Sequence, residues 1–147
     1  MKYTVIIEKS PNNYGAFSPD VPGCISVADT YEEMLLMIRE ALEFHFECME
    51  LDGYPIPTPA ARIEMLEAAG QEYVIVYEQW PSKWLAYIPD FLPECDVEGS
   101  SYEEAWDNIR RVIVEYLAVT ERSGDSLPEP AAWAETMDIP HPSEVPA

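Results

Sequence analysis

The chain has 147 residues, a size for one ordinary domain or two very small ones, and 48% of them are hydrophobic, enough for a core. Its 28 acidic residues against 8 basic ones set the formal charge at −20. That argues against direct binding to nucleic acid or to an anionic membrane, which both demand a basic footprint, and favours solubility and a basic partner.

Tyr3 to Glu8 is β-branched and apolar on both faces and reads as a strand covered on both sides. Pro11, Asn12 and Asn13 supply turn chemistry, and Tyr14 to Ser18 returns as the second strand of a hairpin. A bend built from Pro19, Asp20, Pro22 and Gly23 leads into Cys24 and a short third strand ending at Val27. A helix starts at Thr30, which has capping-box spacing to Glu33. Met34, Leu35, Ile38, Ala41, Leu42 and His45 fall on its inner face, and Glu32, Arg39, Glu40, Glu43, Glu47 and Glu50 cover the rest. Gly53 follows the helix, and Pro55, Pro57 and Pro59 force an extended connector. Ala60 to Ala69 fits either an edge strand or a short helix; the proline run delivers extended chain and selects the strand.

From Tyr73 the pattern restarts. Tyr73 to Glu78 matches the first strand, Trp84 to Ile88 the second, and Pro89 to Cys95 the bend. Ser101 and Glu104 repeat the capping box. Ala105, Trp106, Ile109, Val112, Ile113, Tyr116 and Leu117 make a second apolar helix face, closed by Gly124. Pairing residues 3–21 with those 70 further on, and 22–68 with those 71 further on, gives 20 identities in 66 pairs, with one residue inserted in the Phe91–Pro93 bend. The identities cluster at turns, caps and helix starts, so they mark a tandem duplication of one β-β-β-α-β unit. The expected fold class is α+β: two units, 1–70 and 71–139, each a small antiparallel sheet packed on one long helix, and then a disordered tail over 140–147.

The residues that carry the repeat resemble those of the HicB antitoxin family. They are the strand from Tyr3 to Glu8, the bend with Tyr14, Ala16, Pro19, Asp20, Pro22, Gly23 and Cys24, the helix start at Thr30, Glu32 and Glu33, and Gly53 with Pro55, Ile56 and Pro57. The first copy matches closely. The second is looser: Glu94 replaces Gly23, and Asp125, Ser126 and Leu127 follow Gly124. The resemblance implies a truncated ribonuclease-H-like fold and a role in neutralising HicA, a small basic toxin that cleaves mRNA. Many such antitoxins also carry a C-terminal DNA-binding domain; a second unit follows the first here, and at a charge of −20 no direct nucleic-acid binding is expected.

On this reading no catalytic, cofactor or metal site is expected. Glu8/Glu78 and Asp20/Asp90 are the repeated acids a two-metal nuclease would use, but the aspartates sit between prolines, where backbone N–H groups compete for them. Cys24 and Cys95 fit buried thiols, and an odd count of three cysteines without a Cys-x-x-Cys pair fits reduced thiols of the cytoplasm. Met1-Lys2 runs straight into a strand rather than an apolar leader, and no run approaches a membrane span. Glu32, Glu33, Glu40, Glu43 and Glu47 are the residues expected to face a basic toxin, while Pro19, Asp20, Pro22, Gly23 and Cys24 form a structural turn. A second reading is a stand-alone pseudo-dimeric scaffold, a homo-oligomerising unit made covalent by fusion, with no toxin partner; a metal-dependent nuclease is third.

Overall fold

The structure is a computed structural model in which residues 1–142 are described. Its elements are β1 (Lys2–Lys9), β2 (Tyr14–Phe17), β3 (Ile25–Ala28), α1 (Tyr31–Leu51), β4 (Arg62–Ala68), β5 (Gln71–Gln79), β6 (Trp84–Tyr87), β7 (Asp96–Gly99), α2 (Tyr102–Ser123) and β8 (Ala132–Asp138). The α+β class and the repeated sheet-and-helix plan hold, and Arg62–Ala68 is indeed a strand. The tail expected over 140–147 lies, from residue 143 on, outside the described residues.

Both helices begin on the capping boxes. Thr30 Oγ1 accepts from the Glu33 amide at 3.2 Å, and Ser101 Oγ from the Glu104 amide at 3.1 Å. Gly53 and Gly124 just past the helix ends have φ of 77° and 76°, a left-handed backbone that costs glycine little. The hairpins also share one register: Ile6 faces Phe17 as Val76 faces Tyr87, and Tyr14 faces Ala28 as Trp84 faces Gly99.

The sheets are ordered β3-β2-β1-β8 and β4-β5-β6-β7. The last strand of each repeat therefore lies in the sheet of the other. β4 runs antiparallel to β5 from Arg62↔Tyr77 to Ala68↔Gln71. Residue 139 meets Met1 as the repeat-equivalent Ala68 meets Gln71: the Ile139 amide donates to the Met1 carbonyl at 2.9 Å, and the Met1 ammonium donates to the Ile139 carbonyl at 3.2 Å. Compact units consequently follow the sheets and not the repeats. One comprises Met1–Ala60 and the chain from Trp133 on, the other Ala61–Ala132. The boundary expected between residues 70 and 71 falls inside the β4–β5 hairpin. Its turn residues, Ala69 and Gly70, have φ of 52° and 76°, and two left-handed residues in succession suit the twist of a tight hairpin. A two-residue closure loses little chain entropy, so β4 pairs with the strand that follows it.

In the first unit, Tyr3, Val5 and Ile7 of β1 pack with Met34, Ile38, Leu42 and Phe46 of α1 and with Met137 and Ile139. The inner face thus runs through Phe46, which stacks on Tyr3 at 5.1 Å between ring centroids, while His45 is half-buried at its flank. In the second unit, Tyr73, Ile75 and Tyr77 pack with Ala105, Ile109 and Ile113 and with Phe91 from the bend. Each such fully buried aliphatic or aromatic side chain contributes about 1.5–3 kcal/mol relative to exposure.

Candidate partner-binding site

The repeated bend is a latch. Asp20 Oδ1 accepts from the Ala60 amide at 2.7 Å, and Asp90 Oδ1 accepts from the Ala131 amide at 2.9 Å. Ala60 and Ala131 lie at the ends of the proline connectors, where the chain leaves one sheet for the other. Each aspartate therefore holds a distant connector in addition to shaping its own turn. Two repeated tyrosines do the same upstream: Tyr3 Oη donates to the Pro57 carbonyl and Tyr73 Oη to the Pro128 carbonyl, both at 2.6 Å. Burial pushes the Asp90 carboxyl up, against the backbone amides of Ala131 and Ala132, which favour its charge.

Over Pro19 to Cys24 the Val21 amide donates to Ser18 O at 3.1 Å, the Cys24 amide to Val21 O at 3.3 Å, and Gly23 has φ of 91°. In the second copy a single 3-10 turn over Pro89–Phe91 takes this place and Leu92 bulges to the surface. Cys24 and Cys95 are buried and free. Burial raises both thiols, Cys95 to about 11 with help from Glu94, so neither is poised as a thiolate. Among the described residues no group of three or more His, Cys, Asp and Glu is arranged to hold a metal ion, and no helix is long and apolar enough to cross a membrane.

The five glutamates expected to face a partner separate on α1. Glu33, Glu40 and Glu47 recur every seven residues and lie along the outward ridge, opposite Met34, Ile38, Leu42 and Phe46. Glu32 and Glu43 sit on its flank, where Glu43 is half-buried and its carboxylate is 4.0 Å from the Arg39 guanidinium. Between the ridge glutamates stand side chains that the acid pattern did not single out. Leu36, Met37, Phe44 and Leu51 are 56%, 38%, 67% and 87% exposed, too open for core positions. Their signal was in the duplication: 71 residues on stand Asp107, Asn108, Glu115 and Arg122, the residues an ordinary solvated helix face carries. The ridge glutamates become Glu104, Arg111 and Ala118.

On α2 the outward apolar residues are dispersed. Val114 and Val119 lie to either side of the ridge, and the Arg110 guanidinium covers the Trp106 ring at 3.3 Å from its centroid. Arg110 also pairs with Glu64, and Tyr77 Oη donates to the same carboxylate at 2.7 Å. The first compact unit keeps both partners as Arg39 and Glu135 but not the tyrosine, for which Ile7 stands. There Glu135 instead accepts from Tyr31 Oη and Trp133 Nε1, and Arg39 reaches the Asp138 carbonyl.

Comparison with known proteins identifies the family of the chain. A family model described as the HicB-like antitoxin of bacterial toxin-antitoxin systems matches residues 3–80, more than half of the chain. An uncharacterised 14.9 kDa protein of Haemophilus phage HP1 is 44% identical over 57 residues, which cover 39% of this chain and 43% of the phage protein. Antitoxin HicB 2 of Photorhabdus laumondii is 34% identical over 64 residues, 44% of this chain and 46% of that protein. The chain thus spans less than half the length of these two relatives. A solved HicA3 and HicB3 toxin-antitoxin complex is similar at 29% identity and a TM-score of 0.36, over 40% of this chain and 69% of the matched one. With the family match running from β1 through β5, the chain belongs to the HicB-like antitoxins of bacterial toxin-antitoxin systems.

Proposed function

We propose that this chain is a cytoplasmic, non-enzymatic antitoxin that neutralises a small basic toxin of the HicA type by covering its surface. The observation that carries the reading is the acidic outer side of α1, where Glu32, Glu33, Glu40 and Glu47 are exposed in a chain of net charge −20. An acidic surface raises the rate of encounter with a basic ribonuclease and competes with RNA for the same cationic patch. Asp20 and Asp90, the acids a nuclease would need, are engaged with connector amides, which favours a structural role for them.

The test is calorimetric titration of the purified chain with the product of any neighbouring small basic reading frame of the HicA type. Binding is expected at low salt and should weaken as ionic strength rises, because exposed charge pairs are screened. Absence of binding at low salt overturns the proposal. The scaffold reading retains one supporting observation, the reciprocal exchange of β4 and β8, which is what fusing a strand-swapped pair of single units would leave. It gains if the chain binds no basic partner in that titration.

A further inference from the structure

The ridge of α1 has an order that net charge does not explain. Met37, Phe44 and Leu51 repeat at seven-residue intervals, and Glu33, Glu40 and Glu47 repeat at the same interval four residues earlier. Along a helix these are two interleaved rows with a period of about 10 Å. Seven-residue repeats of this kind are the pattern by which one helix receives another lengthwise. Such a row of exposed apolar side chains on a soluble surface marks a contact surface, whereas isolated ones do not. The repeat-equivalent rows on α2 read Asn108, Glu115, Arg122 and Glu104, Arg111, Ala118, with neither an apolar nor an acidic row surviving.

Resting on the antitoxin reading above, we infer that the outward ridge of α1 is the docking seam for a helix of the basic partner, that Phe44 is its central anchor, and that the chain binds one partner because α2 has lost the seam. The matching helix presents apolar side chains toward Met37, Phe44 and Leu51, and Lys or Arg toward Glu33, Glu40 and Glu47. The apolar row supplies the affinity, since a few buried anchors dominate an interface, and the glutamate row sets register and excludes acidic competitors. Against a second copy of this chain packed antiparallel, the glutamate row would meet its own equivalent, which disfavours self-pairing along the seam.

The same titration tests this with three versions of the full chain. The unaltered chain is expected to bind one HicA-type protein per chain. Phe44→Asp is expected to weaken binding on the order of thirtyfold, the loss of a hot-spot residue, with its circular dichroism melt unchanged because Phe44 lies outside the core. Val114→Asp on α2 is expected to leave affinity within about twofold, as an exposed residue away from the contact. A ratio of two partners per chain, or tight binding by Phe44→Asp, overturns the seam while leaving the antitoxin reading intact. No binding by the unaltered chain overturns both.

Discussion

The two units share a plan and differ in what they show to solvent. Both keep the capping boxes, the strand registers, the tyrosine bonds to the proline connector and the aspartate latch. They part company on the outward ridge of the helix and on the outermost strand, where Ile25 and Val27 of β3 are exposed and the equivalent positions of β7 are Asp96 and Glu98. A duplicated unit must retain what directs its backbone. Its exposed positions are under no such constraint. On the helix ridge and the outermost strand the first unit exposes apolar side chains where the second has polar ones, and the second has the tighter interior at Gly99.

The tighter interior gives the largest expected effect. Ala28 of the first unit corresponds to Gly99 of the second. A Cβ added at Gly99 would lie 2.9 Å from both Ala105 Cα and the Glu104 carbonyl carbon, and closer still to the Ala105 nitrogen, all backbone of α2 that cannot turn aside. Gly99→Ala is therefore expected to cost about 3 kcal/mol as overpacking. The reverse change, Ala28→Gly, is expected to cost about 1 kcal/mol from strand entropy and a small lost contact. Urea denaturation of the two variants measures the difference, and equal costs would mean the helices sit alike on their sheets.

The latch gives the next. Asp90→Ala leaves the Ala131 amide without its acceptor in a half-buried setting, at an expected cost of about 2 kcal/mol. Asp90→Asn keeps an acceptor oxygen and removes a charge that burial disfavours, so at pH 7 it should be at least as stable as the unaltered chain. The sign follows from linkage: the folded carboxyl titrates above its ordinary value of 3.8, so its contribution is greatest below that value and is lost as pH rises through the folded one. A melt series from pH 3 to pH 7 on all three proteins checks both the size and the direction.

The smallest effect concerns the pair that only the second unit makes. The bond from Arg110 holds the Glu64 carboxyl below its ordinary value of 4.5, against partial burial and aided by Tyr77. Its stabilisation is present above that value and fades as pH falls through the lower folded one. Glu64→Gln should cost about 1 kcal/mol or less at pH 7, since the pair is a third exposed, and nothing once the medium is acid enough to protonate the native carboxyl. A cost that persists there would assign the effect to packing.

Much of this was legible in the residues because it is local. Capping needs a hydroxyl three residues before a helical amide, a left-handed turn needs glycine, and a proline run must be extended; Thr30, Gly53 and Pro55 to Pro59 announce all three. The duplication followed from comparing such positions, and the inner helix faces followed from periodicity. Phe46 was missed in favour of His45 because both lie within the width of one apolar stripe, and only the contact with Tyr3 separates them. The outward ridge of α1 was half legible: the acids stood out, while Leu36, Met37, Phe44 and Leu51 lie off the inner face that periodicity picks out and drew no reading.

What the residues determined alone was a set of elements with their caps, turns and inner faces, in two copies. What the tertiary structure decided was partnership. β4 and β8 descend from the same strand, and a strand's backbone donors and acceptors carry no address, so composition does not say which edge each will join. The choice was made by a two-residue turn closing β4 on β5 and by two aspartates holding connectors forty residues away in sequence. The turn is local, but the aspartate bonds are not and neither names the edge that β8 joins, so the full exchange of last strands is seen only with the chain folded.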